Sequence, residues 1–208
     1  PLVDPSDVQN TIAVSGVGDA YGVEFLYRLD INKVSGWIGY AFSDIVREVD
    51  FNSDNEIWED KEKYTAKYNK PHSFISVLNY SFNRYGKEYS VGLSFIFESG
   101  QTYTAVVGKV HQAGQGNYGS LEKPYNYFGN IFGKKNGSRY PDYCRLDLNL
   151  TKQARIFGLD GKLKFQIINI LNYYNVLLYN WDHNASPSRV EAYSMFPRVF
   201  TFGWEFNI

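Results

Sequence analysis

Four groups of residues have types and spacings that could support chemistry. The stretch DFNSDNEIWEDKE (residues 50–62) gathers Asp50, Asp54, Glu56, Glu59, Asp60 and Glu62. Asp50, Asn52 and Asp54 stand at the first three ligand spacings of a calcium loop. Such a loop also needs Gly at its sixth position and Glu at its twelfth; Asn55 and Lys61 stand there instead, so the expectation is a solvated acidic loop and no metal site. Tyr118, Tyr125, Tyr127 and Phe128 lie in a glycine-rich stretch. Their flat faces suit stacking on sugar rings or on aromatic ligand groups, with packing against neighbouring loops as the plainer use. Arg28 with Asp30, and Arg145 with Asp147, are opposite charges two residues apart, which share one side of an extended chain. The histidines His72, His111 and His183 are scattered, and Cys144 is the single cysteine. That spacing fits neither a designed metal centre nor a disulfide framework. Ser, His and Asp occur without a G-x-S-x-G frame to unite them, so no catalytic residue, enzyme activity or cofactor is expected.

The elements that must position these groups follow from composition and period. The chain has 208 residues with 21 Lys+Arg against 22 Asp+Glu, a net charge of −1 that argues against a nucleic-acid partner. It holds 4 Trp, 18 Tyr and 15 Phe, 18% aromatic, at a mean hydropathy of −0.38. No run of eighteen apolar residues occurs, so a transmembrane helix is not expected, and no charged-then-apolar leader is visible. Seven stretches alternate at period two, the signature of strands: about 21–31, 34–50, 72–83, 88–104, 142–157, 162–175 and the closing FPRVFTFGWEFNI. In the last, Phe200, Phe202, Trp204 and Phe206 alternate with Thr201, Gly203, Glu205 and Asn207. The cleanest case sets Leu146, Leu148 and Leu150 against Arg145, Asp147, Asn149 and Thr151, with Cys144 on the leucine side.

Connections alternate strictly between short and long. Short turns fall around 32–33, 83–86 and 158–161, where Asp160-Gly161 is a good hairpin pair. Long connections cover roughly 51–71, 105–141 and 175–195. In an up-and-down meander all the short turns then lie at one end, which is the asymmetry of an outer-membrane barrel. Alternating apolar and polar residues suit a wall with lipid on one side and a polar lumen on the other. This predicts an all-β, transmembrane, antiparallel up-and-down barrel, with Arg28, Asp30, Arg145 and Asp147 facing the lumen. Seven strands are odd in number, and residues 1–18 read as an outside loop, so the chain is expected to be the C-terminal part of one larger barrel domain spanning residues 1–208.

Five stretches in order, DAYGVEFLYRLD (19–30), SGWIGYAFSD (35–44), YNKPHSFISVLNYSF (68–82), RYPDYCRLDLNL (139–150) and FQIINILNYYNV (165–176), resemble the C-terminal half of a TonB-dependent receptor of Bacteroidetes type. The resemblance covers about residues 11–208. It implies a 22-stranded barrel in the outer membrane, plugged by an upstream domain and energised through the TonB complex. It also implies uptake of a scarce ligand: a siderophore, cobalamin, a peptide or an oligosaccharide. Some members of the family carry a surface lipoprotein lid. The final residue departs from the pattern, being Ile208 where the family usually has Phe. Two other readings stand beside it: a soluble carbohydrate-binding β-sandwich, and a small eight-stranded outer-membrane enzyme or adhesin that needs a strand hidden in residues 1–18.

Overall fold

The computed structural model describes residues 15–50, 61–114, 125–182 and 189–206. They form β1 (Ser15–Ile31), β2 (Val34–Asp50), β3 (Lys61–Thr65), β4 (His72–Arg84), β5 (Lys87–Glu98), β6 (Thr102–Tyr103) and β7 (Val106–Gly114). The chain continues with β8 (Tyr125–Phe132), β9 (Ser138–Arg139), β10 (Tyr143–Ile156), β11 (Leu159–Ile168), β12 (Val176–Asp182), β13 (Arg189–Ser194) and β14 (Val199–Phe206). All pairings are antiparallel, and the main sheet runs β1-β2-β4-β5-β10-β11-β14 with β3 attached to β2. The expected seven-strand meander is therefore present as an open sheet. Among the described residues it does not close into a barrel, and β1 and β14 are its edges.

Register turns the alternation of single strands into two faces. One row crosses all seven strands as Ile31, Val34, Tyr80, Val91, Leu150, Phe165 and Phe202. The adjacent row crosses as Asp30, Ser35, Asn79, Gly92, Asn149, Gln166 and Thr201. Directly opposite residues share a face, so every position of the first row is apolar or aromatic and every position of the second is polar or glycine. Among the described residues no layer covers the apolar face. On the interior strands β4 and β5, Leu78 is 46% exposed, Tyr80 43% and Leu93 39%. Among the described residues the buried apolar side chains are Ala66 and Ala154 alone, while Asn69, Thr102, Asp147, Asn169 and Asn175 are buried polar ones.

Several boundaries differ from the sequence expectation. The first strand begins at Ser15, inside the stretch assigned to an outside loop, and the fifth ends at Glu98 instead of running to 104. The third short turn is Phe157-Gly158, not Asp160-Gly161. Both turn residues adopt positive φ, 53° and 80°, and Ile156 pairs with Leu159. Gly161 sits in the ladder opposite Phe206. The long connections also hold strands of their own: β3, the hairpin β7–β8 on a β6–β9 base, and the hairpin β12–β13.

Candidate functional site

The long connections meet at one end of the sheet and are locked together there by polar contacts. Asn69, fully buried, donates its Nδ2–H to Asp44 Oδ1 at 2.7 Å. The Thr102 hydroxyl lies 2.7 Å from the Ala66 carbonyl and 3.0 Å from that of Lys67. Arg139 Nη1 donates to the carbonyls of Asn69 at 2.9 Å and Gly100 at 3.0 Å. Tyr140 N–H donates to Gln101 O, and Gly100 N–H to Asp142 Oδ1. Gly100 is required by this approach, because a Cβ there would collide with the Tyr140 carbonyl. Segments 66–69, 99–104 and 136–142 thus form one rigid rim.

A cleft of about 390 Å³ opens beside this rim, lined by Lys70, Ile96, Glu98, Tyr140, Tyr143 and Met195 among others. Lys70 Nζ and Glu98 Oε2 pair at 2.6 Å within it, so its charge is balanced locally. Tyr140 forms part of the wall and is backed by two further rings. Its centroid lies 4.4 Å from that of Tyr103 and 5.2 Å from that of Tyr179, and Tyr103 and Tyr179 are 5.6 Å apart. Burial, followed by the neighbouring phenols of Tyr179 and Tyr140, pushes the Tyr103 hydroxyl above the usual tyrosine range, so it stays a neutral donor at physiological pH. An aromatic wall held from behind, with a neutralised charge pair beside it, suits a ring-bearing polar ligand. Among the described residues no three His, Cys, Asp or Glu side chains converge as a metal site.

The residues singled out from sequence are distributed around this end and along the face of the polar row, which also carries Trp37 and Val77. Arg28 and Asp147 occupy opposite ends of one row, Arg28-Trp37-Val77-Ser94-Asp147. Four ladders separate them, about 19 Å, so they share a face without touching. Asp30 lies in the polar row with Asn149. Arg145 and Asp147 do meet: Nε is 3.1 Å from Oδ2. The contact is electrostatic only, since Arg145 Nε has no hydrogen-bond acceptor, and the other Asp147 oxygen accepts Asn169 N–H at 2.9 Å.

Tyr125, Tyr127 and Phe128 belong to β8, where they pair with Gly114, Gln112 and His111; they lie in a ladder and not in a free loop. Tyr118 lies outside the described residues, as do His183 and most of the acidic stretch, residues 51–60. His72 Nδ1 and the Tyr40 hydroxyl form a 2.9 Å hydrogen bond. Cys144 falls on the apolar side opposite Phe97.

Sequence reasoning missed the tyrosine cluster and the asparagines that end the sheet. Beyond Ile168 the chain leaves β10, and side chains and loop backbone replace the departed strand. Ile170 N–H donates to Leu146 O at 2.7 Å. The Asn175 carboxamide accepts from Cys144 N–H at 2.8 Å and donates to Cys144 O at 2.9 Å. Asn169 and Asn172 hold φ of 55° and 52°, tolerated by asparagine better than by most residues. The repeated Asn of NILNYYN was the available signal. No family model matches the chain, and no curated protein or solved structure does.

Proposed function

We propose that this chain is a wall segment of an outer-membrane receptor of TonB-dependent type, active in ligand uptake and not in catalysis. The observation that carries the reading is the pair of adjacent seven-strand rows, one wholly apolar and one wholly polar or glycine. An uncovered apolar face of this breadth needs a solvent as apolar as itself. On β1 the apolar positions run from Tyr21 to Ile31. That rise, about 33 Å untilted, becomes about 25 Å at the usual barrel tilt, the height of an outer-membrane apolar band. Short turns at one end and rim-forming hairpins at the other support the same orientation.

On this reading the polar face lines a lumen that an upstream plug domain fills, with upstream strands joining β1 and β14 to complete a 22-stranded barrel. Ligand recognition falls to the rim: the cleft beside Tyr140 and the hairpin carrying Tyr125, Tyr127 and Phe128. The partners are membrane lipid, the upstream barrel and plug, the TonB complex and, as in some members of the family, a lipoprotein lid. A soluble β-sandwich would need a second sheet over the apolar face, and the described residues supply none. Isolated from its own cells, the full-length protein should fractionate with the outer membrane, resist alkaline carbonate extraction and crosslink to the periplasmic domain of TonB. Recovery in the soluble fraction would overturn the membrane assignment, and failure to crosslink would overturn the TonB assignment.

A further inference from the structure

A second cleft, of about 400 Å³, lies between β3 and the turn that leads into β9. Its lining includes Lys63, Lys134, Lys135 and Arg139 and contains no carboxylate. In a chain with 21 cationic and 22 anionic side chains, such a concentration is not a consequence of composition. Among the described residues none of the four pairs with an acid. Glu48 stands opposite Lys63 in the β2–β3 ladder, yet forms no ion pair with it.

The cleft is also pre-shaped. Asn136 Nδ2 donates to Thr65 O at 2.8 Å, and Asn136 N–H to the Thr104 hydroxyl at 2.9 Å. Gly137 N–H closes the turn on Lys134 O at 3.0 Å. Lys135 Nζ lies 3.9 Å over the Tyr64 ring, and Arg139 is anchored by two carbonyls through Nη1. Four cations around a cleft whose described lining holds no carboxylate form a site for an external anion, which charge-assisted hydrogen bonds hold more strongly than neutral ones.

We propose that this cleft binds a phosphate-type oxyanion carried by a larger molecule. Val46, part of the lining, is four residues beyond Phe42, the last aromatic residue of the apolar face on β2 before Asp44. That step is about 13 Å along the strand. The cleft is therefore within reach both of a phosphorylated lipid headgroup and of a phosphate-bearing soluble ligand. The concentration of cations is there whether or not the chain is a receptor.

The test titrates the full-length protein in detergent with inositol hexakisphosphate by calorimetry, and in parallel measures its capture by vesicles of phosphatidic acid or of phosphatidylcholine. K134A/K135A should weaken whichever interaction is found by about tenfold or more, the scale of one or two charge-assisted hydrogen bonds, whereas K134R/K135R should retain it. A K134A/K135A-sensitive preference for phosphatidic acid vesicles identifies a lipid source, and sensitivity confined to the soluble probe identifies a soluble one. No binding of either probe by the wild type would overturn the proposal. So would binding that K134A/K135A leaves unchanged, or that K162A/K164A, at the far end of the sheet, weakens equally.

Discussion

At Cys144 a carboxamide takes the place of a strand. Asn175 supplies the acceptor and the donor that a β-ladder would, and it is 3% exposed, so water has little access to restore lost bonds. Asn175→Ala should therefore destabilise the protein by roughly 1–3 kcal/mol, the cost of buried backbone groups left without partners. The midpoint of urea unfolding checks this, and an unchanged midpoint would mean that the loop backbone closes onto Cys144 unaided. The same scale shows why part of the site was hidden in the sequence. Tyr103 and Tyr140 stand at the two ends of the connection between β5 and β10, Tyr179 in that between β11 and β14; they meet only through tertiary packing, and no local period marks them. The third turn was misread for a related reason. Asp160-Gly161 has the better turn chemistry, but closing there would slip the register and separate Leu148 from Ile167 and Leu150 from Phe165. Packing of those pairs prevails, and Phe157 accepts a positive φ at about 1–2 kcal/mol.

At the scale of the element, the seven wall strands were legible because each carries its own alternation, and β2 matches its expected bounds of 34–50. The hairpins of the long connections were not. Their strands are short or glycine-bearing, as in VVGKVHQAG of β7, and their pairing depends on the rim that carries them. Facing can be tested on one wall strand. Leu148 lies between Leu93 and Ile167, whereas Asn149 lies between Gly92 and Gln166. On the membrane reading, Leu148→Arg should cost about 2–4 kcal/mol near the bilayer midplane, and Asn149→Arg, on the polar face, should leave assembly unaltered. Heat-modifiable mobility of each variant provides the measurement. The reverse result would require the two faces to be exchanged.

For the whole molecule, the open sheet carries the consequence. Among the described residues, β1 and β14 each present one unpaired edge, and a face with residues such as Phe202 at 73% exposure lacks a covering layer. Unpaired donors and acceptors are costly in lipid, and uncovered apolar strands aggregate in water. On the receptor reading, residues 1–208 expressed alone should therefore aggregate, and co-expression with an upstream barrel segment should rescue them. A heat-modifiable, protease-resistant monomer of these residues in detergent would favour the small-barrel reading. Antiparallel all-β architecture could be read from the sequence, but closure could not, because it depends on which strands meet β1 and β14.

The wall pairings run without a register shift, whereas β7–β8 slips between Val106 and Gly108 and β12–β13 between Val176 and Leu178. Each hairpin is also a separate sheet, sharing no ladder with the wall. Backbone opening should therefore divide into independent units of different free energy. Amides of 106–114 and 125–132 should exchange with deuterium orders of magnitude sooner than those of 89–97 and 144–151, by mass spectrometry of the full-length protein. Uniform rates would show that the hairpins and the wall open together. On the receptor reading, independent units let the outer hairpins rearrange around a captured molecule while the wall below them keeps the permeability barrier sealed.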